Sequence, residues 1–339
     1  MKQVLSAAAI AAMVGAAGVA SARDTVQIAG SSTVLPYAKI VQDEFKEVFP
    51  DFNVVVESGG SSFGKKEVCK GVGEKFIDIG NSSSPIKDSE KAFCSENGVE
   101  LIEITFGYDG IVFAYDNGAE QFDLTALDVY KALAANVGGS PNTVKTLKDV
   151  NPALPAWDVA FYIPAANHGT REVFEKKVMH SGCKASGDFE AYKAGGMSKK
   201  EAEKACATFR TGDGAVVEIA GDYTVTLARI DANKTGVGVF GLAFYENNKD
   251  KLFVADMEGV TPTTESIAAG EYPVSRPLFF FVKKAHLDVI PGLREYVDFF
   301  ISEEMVGPGS PTVNYGLVPA PVAERDATRA KFATGDTVN

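Results

Sequence analysis

The chain lacks a surplus of basic residues. Its 339 residues carry 33 Lys and Arg against 45 Asp and Glu, a formal net charge of −12. That excludes the basic footprint expected of a nucleic-acid surface, but not the capture of a small anion by local donors. The sequence also lacks a CxxC or HxxxH pair. The spacing from His180 to Cys183 is therefore at most half of a metal site. No acidic cluster with calcium-loop spacing follows Asp213, which reads as a turn residue. No metal and no cofactor is expected. Beyond residue 22 no run approaches the roughly 20 apolar residues of a spanning helix, so no membrane insertion is expected. There is no long internal repeat and no low-complexity segment. With 45% hydrophobic and 23% charged residues, wholesale disorder is excluded. The length fits one large or two medium domains.

What is present begins with a leader. Lys2 is the only early charge, an Ala-rich apolar stretch follows over 4–19, and Ala20-Ser21-Ala22 has the small-x-small form of a cleavage site. Residues 1–22 are expected to be a secretory signal peptide cut after Ala22. No Cys near that site offers a lipid attachment. The remainder is expected to be soluble and periplasmic. Four cysteines fall into two local pairs, Cys69 with Cys94 and Cys183 with Cys206. Four cysteines allow three connectivities. The local one is simplest, because each pair brackets a charged, helix-like surface segment, and an oxidising compartment favours two disulfides.

The organisation alternates. Strands are expected over 26–29, 52–56, 76–80 and 100–106, with helices over 36–49, 63–71 and 86–97 between them. This pattern predicts a mostly parallel, doubly wound α/β sheet. Further strands are expected over 111–115, 159–163, 236–241 and 277–282. Helices are expected over 124–135, 172–180, 222–232 (with Val225 and Ile230 inward) and 293–301. The segment between Cys183 and Cys206 reads as a disulfide-pinned helical excursion. The tail after Arg325 is polar and is expected to be mobile.

The first three strands each end in a Gly/Ser-rich turn that opens a helix: Gly30-Ser31-Ser32-Thr33, Ser58-Gly59-Gly60-Ser61-Ser62 and Asn81-Ser82-Ser83-Ser84-Pro85. Ligands of open α/β sheets sit beyond the carboxyl ends of strands, and free N–H groups at helix starts favour anions. Each turn alone is explained by helix capping; three at one sheet edge point to an anion site. A fourth turn, Asn167-His168-Gly169-Thr170-Arg171, repeats this chemistry in a second α/β unit. Gly169 permits close backbone approach, Thr170 adds a hydroxyl, and Arg171 offers a planar fork. A rival reading exists. Gly60-Ser61-Ser62-Phe63-Gly64 fits the G-x-S-x-G nucleophile elbow, with Ser62 as nucleophile and His286 downstream. It sits early in the chain for that fold and leaves the other serine turns without a purpose.

Gly30-Ser31-Ser32-Thr33-Val34, Ser58-Gly59-Gly60-Ser61, Asp78-Ile79-Gly80-Asn81-Ser82-Ser83, Gly107-Tyr108-Asp109-Gly110, Gly169-Thr170-Arg171 and Ser275-Arg276-Pro277 occur in that order. Together they resemble the periplasmic phosphate-binding proteins of phosphate-specific ABC importers, and more narrowly a proteobacterial branch with two disulfides. The resemblance spans nearly all of the chain beyond the leader. It implies a type II periplasmic binding protein fold: two doubly wound α/β domains joined by two hinge crossings, near 109–115 and 275–282. The first domain would comprise 23–108 and 283–339, the second 109–282. Carried over by position, Ser32, Thr33, Ser61 and Ser83 would bind oxyanion oxygens from the first domain, and Gly169, Thr170 and Arg171 from the second. Three positions depart from the family: His168 stands where Ser is usual, Ser83 where some members have an acceptor Asp, and Ser84 where the nearest branch has Arg. Under the resemblance His168 supplies the missing donor and Asp109 the missing acceptor.

The expected function is thus capture of inorganic phosphate and its delivery to the membrane permease of an ABC importer, by a monomer with no catalytic step. The alternatives are a binding protein for a related oxyanion or phosphorylated compound, for import or sensing, or a secreted serine hydrolase using Ser62. An ester panel separates the classes. The parent is expected to show no turnover that Ser62→Ala removes; robust hydrolysis lost in that variant reverses the ranking.

Overall fold

A computed structural model describes residues 23–166, 169–220 and 223–338. The leader, Asn167, His168 and Asp222 lie outside them, as does the expected cleavage site. Nine strands make one sheet: β1 (Thr25–Gly30), β2 (Asn53–Ser58), β3 (Ile79–Ser82), β4 (Leu101–Asp116), β5 (Phe161–Pro164), β6 (Val216–Ile219), β7 (Val237–Gly241), β8 (Leu252–Val254) and β9 (Ser275–Lys283). Their order is β2-β1-β3-β9-β4-β7-β5-β6, with β8 against β4. β2-β1-β3 and β7-β5-β6 are parallel. The centre is not: β9 runs antiparallel to both β3 and β4, and β7 antiparallel to β4. The sheet is therefore mixed rather than mostly parallel.

β4 corrects a second expectation. The segments 100–106 and 111–115 are one strand of 16 residues, which at about 3.4 Å per residue reaches roughly 50 Å. Gly107-Tyr108-Asp109-Gly110 does not interrupt it, because β9 pairs along it from Leu101 to Gly110, with an irregularity between Leu278 and Phe279. β4 and β9 carry the chain between two hydrophobic cores. Ile102, Ile104, Phe280 and Val282 pack with Val26, Ile28, Phe45, Tyr296 and Phe300. Ile111 to Tyr115 pack with Phe161, Phe174 and Phe240.

Helices α1 (Leu35–Val48), α2 (Ser61–Val68) and α3 (Asp88–Glu96) follow the first three strands. α1 buries Tyr37, Ala38, Val41 and Phe45, at the spacing of one helix face, and carries Pro36 in its first turn. α2 approaches the sheet through glycine. A Cβ on Gly64 would lie 2.7 Å from Ala29 O and Gly30 Cα, and one on Gly30 would lie 2.1 Å from Asn81 O. This absence of side chains seats Ser61, at the start of α2, over the carboxyl ends of β1 and β3.

Helix α4 (Gly169–Val173) runs on through a π-helical stretch, Phe174–Met179, into helix His180–Ser186. In α5 (Tyr223–Ala232) the inward pair is Thr226 and Ile230, while Val225 is 42% exposed. Positions 226 and 230 share a face one turn apart, and 225 lies off it. The tail is also different from expectation. Residues Val322–Thr334 form helix α6, buried through Phe332 and fastened where Tyr108 Oη donates to the Glu324 carboxylate at 2.8 Å. The polar composition of this segment hides that single apolar anchor.

The disulfides are Cys69–Cys94 and Cys183–Cys206. Cys183 is thereby withdrawn from any metal site with His180. The second pair pins a run of short helices, Asp188–Ala194 and Lys199–Cys206 among them. Among the described residues no helix is long and apolar enough to cross a membrane.

One charged cluster is buried beneath the first core. Asp78 accepts from the backbone N–H of Gln27 and pairs with Arg23 and His286. Gly73 N–H donates to His286 Nε2 at 3.0 Å, so that nitrogen is unprotonated and Nδ1–H faces Asp78 at 2.6 Å. Nearby, the fully buried Lys283 ammonium donates to Gly71 O and lies over the Phe76 ring. Burial pulls its pKa down to about 8 against the attraction of Asp78, with Arg23 adding to the fall. Between about pH 8 and 10 the unfolded chain then holds a proton that the folded chain has released, so this group makes stability rise with pH. Urea midpoints of the parent are expected to gain on those of Lys283→Met across that window. A difference that stays flat with pH contradicts the assignment.

Candidate functional site

The serine turns do two jobs. Ser31 Oγ accepts from the N–H groups of Thr33 and Val34 at 3.2 and 3.4 Å, which holds the turn that leads into α1. Gly59 and Gly60 N–H both donate to Gly30 O, locking the second turn against the first. Ser82 Oγ donates to Ser84 O at 2.7 Å. Those groups hold the loops. Ser61 and Ser83 face each other: Ser83 N–H donates to Ser61 Oγ at 3.0 Å, and the two hydroxyls are 3.1 Å apart. Beneath them the buried Lys65 ammonium donates to Pro85 O at 2.9 Å and pairs with Glu90 at 2.8 Å.

Two adjoining cavities lie where these turns meet the second unit. The larger, about 490 Å³, is lined by Gly59 to Phe63 and Ser83 to Pro85 on one side, by Glu172, Lys176 and Lys177 on the other, and by Arg276 and Pro277 of β9. The smaller, about 30 Å³, is lined by Thr33, Tyr37, Asp109, Thr170, Tyr223 and Tyr315 among others. That is room for about one water molecule.

A polar junction separates them. Thr33 Oγ1 donates to Glu172 Oε2 at 2.8 Å and accepts from Arg276 Nη2 at 2.7 Å. Arg276 Nη2 also lies 3.4 Å from Asp109 Oδ2 and 3.7 Å from Glu172 Oε2. Arg276 is 8% exposed, and its Nε has no hydrogen-bond partner among the described residues. Burial raises the Asp109 pKa, Glu172 adds to the rise, and the Arg276 charge only partly opposes it. Burial also pushes Glu172 upward, but Lys176, Arg276 and the Thr33 hydroxyl outweigh it and hold its pKa below the ordinary value. Glu172 is thus a carboxylate resting on the very donors a bound oxyanion would use.

The expected site residues are distributed as follows. Ser61 and Ser83 line the large cavity; Thr33, Asp109 and Thr170 line the small one. Thr170 Oγ1 is 2.6 Å from Tyr223 Oη. Ser32 is exposed and lines neither. Gly169 opens α4, and His168 lies outside the described residues. Arg171 lines neither cavity. Its guanidinium donates to Pro164 O at 2.8 Å, Glu175 at 2.7 Å and Glu218 at 3.1 Å, over the Phe209 ring. The cation at the junction is Arg276, which the sequence reading quoted only as part of a crossing. Glu172, Lys176 and Lys177 follow the fourth turn and carried no signal beyond a charged helix. The hydrolase reading loses its base: His286 is buried, with both ring nitrogens engaged by Asp78 and Gly73.

Comparison with known proteins agrees with this architecture. The model of the PBP superfamily domain matches residues 15–304. The phosphate-binding protein PstS of Staphylococcus haemolyticus is 30% identical over 301 residues, covering 86% of this chain and 80% of that one. The protein of the same name from Staphylococcus saprophyticus is 29% identical over 91% of this chain and 84% of its own. Among solved structures, a possible phosphate binding protein from Planctomyces limnophilus superposes with a TM-score of 0.71 at 22% identity, over 93% of this chain and 99% of that one.

The placement of Arg171 yields a test. Arg171→Ala leaves Pro164 O without its donor and removes charge-assisted bonds, so a loss of at least about 1.5 kcal/mol of stability is expected. Urea denaturation measures it. An unchanged midpoint means that the guanidinium is not held as described.

Proposed function

Because the chain belongs to the PBP superfamily and, within it, to the family of phosphate-binding proteins, we propose that it captures inorganic phosphate in this cleft and delivers it to the permease of an ABC importer. The supporting observation is Arg276. A buried guanidinium with an unsatisfied Nε borders a chamber that also holds the paired hydroxyls of Ser61 and Ser83. Charge-assisted donors of this kind are the strong ones for an oxyanion. Thr33, Asp109 and Thr170 approach from the small cavity.

Binding proceeds by exchange. The Glu172 carboxylate occupies Thr33 and lies near Arg276, so an arriving phosphate takes over those donors as Glu172 gives way. Phosphate near neutral pH keeps at least one proton, and the carboxylates of Asp109 and Glu172 are acceptors for it. A fully ionised sulfate offers no such proton and meets two carboxylates instead. No bond is made or broken in this cycle; it ends with release to the permease.

The same reading extends to organisation. We take 23–108 with 283–339 as one unit and 109–282 as the other, with the crossings on β4 and β9; the packing of Ile102 and Ile104 in the first core and of Ile111 to Tyr115 in the second supports the β4 crossing, while Phe280 and Val282 still belong to the first core. We take the location to be periplasmic, with a leader removed after Ala22. We take the working form to be a monomer.

Thermal shift and titration calorimetry test the proposal. Phosphate at a hundredfold excess over its Kd is expected to add about 2.7 kcal/mol of stability, with sulfate far weaker. Arg276→Gln is expected to weaken phosphate at least about tenfold, equivalent to about 1.4 kcal/mol. A parent that ignores phosphate, or an Arg276→Gln variant that binds it equally well, refutes the assignment.

A further inference from the structure

The larger cavity exceeds what one tetrahedral anion needs. Its volume, about 490 Å³, falls within the range of pockets that hold small organic ligands. Its charged lining is Arg276, Lys176 and Lys177 against the single carboxylate of Glu172, inside a chain of net charge −12.

These cations are not equivalent. Arg276 is engaged by Thr33 and Asp109, and Lys176 is paired with Glu172. Lys177 has no ion-pair or hydrogen-bond partner among the described residues. Lys177 is exposed at the rim of the cavity; partial burial of its ammonium, and then the Arg276 charge, pull its pKa below that of an ordinary lysine. The two cations therefore repel each other around a common chamber. A dianion or trianion long enough to meet both relieves that repulsion, and orthophosphate, with one phosphorus centre, satisfies the Arg276 end alone.

We propose that the chamber accepts condensed phosphate, diphosphate being the smallest, with one phosphoryl group on Arg276, Ser61 and Ser83 and the next on Lys177. The inference rests on the phosphate-capture reading and widens its ligand class. A phosphomonoester of a neutral alcohol fits less well, because the second group would face an ammonium rather than an apolar wall.

Calorimetry with orthophosphate, diphosphate and methyl phosphate tests it, on the parent, Lys177→Gln and Lys177→Arg. Diphosphate is expected to bind the parent at least about tenfold tighter than methyl phosphate. Lys177→Gln is expected to lose most of that advantage, with diphosphate affinity falling at least about threefold more than orthophosphate affinity, and Lys177→Arg to retain the advantage. Orthophosphate binding with diphosphate no tighter than methyl phosphate overturns the inference and leaves phosphate capture standing. Equal weakening of all three ligands by Lys177→Gln overturns it as well. A parent that binds none of the three refutes the phosphate reading itself, and this inference with it.

Discussion

A guanidinium buried between two cores is the constraint on which the site depends. Arg276 sits on β9, where that strand pairs with Asp109 of β4, and one of its nitrogens reaches Thr33 on the first unit. An isolated buried charge is too costly to persist. Here Asp109 and Glu172 supply the counter-charges, one from the crossing strand and one from the second unit. The first-unit turn after β1, the crossing strands and α4 therefore meet at one cation. Its unsatisfied Nε marks where compensation stops short.

The approach of the first-unit turns to that cation is set by backbone contact. Gly30 and Gly64 remove side chains exactly where α2 meets β1 and β3. Any Cβ there would push Ser61 off Ser83. The serine pair, the Gly30 carbonyl that takes two N–H donors, and the Thr33 hydroxyl thus form one rigid edge. The second unit contributes long charged side chains instead, which can reposition without moving the sheet. A firm wall of hydroxyls opposite a mobile set of charges is consistent with binding by exchange at Glu172.

Much of this was legible in the sequence, for local reasons. Gly/Ser turns between apolar runs announce strand-turn-helix units, and the cysteine spacing announces local disulfides. The residues that were misplaced are those whose role is fixed at a distance. Arg171 follows a ligand-like turn, yet its guanidinium is held by Pro164 O and Glu175 and by the distant Glu218 and Phe209, away from both cavities. Arg276 is one charge in an apolar strand, and nothing local tells that it is buried beside Thr33. The antiparallel centre is not legible because β4 and β9 read alike as apolar runs, and pairing direction leaves no mark on composition. Phe332, with Glu324 and Arg325 held by Tyr108 and Glu303, turns a polar tail into a packed helix.

The acidity of the chain and the capture of an anion are compatible because they act at different ranges. Exposed charges are screened beyond about 8 Å at physiological ionic strength, so a net charge of −12 weakly opposes approach and barely reaches the interior. Inside the cleft, poor solvation strengthens each contact. There the balance is reversed: three cations and one carboxylate line the chamber. An anion that reaches it meets a positive potential that the surface does not advertise. At the junction the balance differs again, because Arg276 there faces the carboxylates of both Asp109 and Glu172 around the Thr33 hydroxyl.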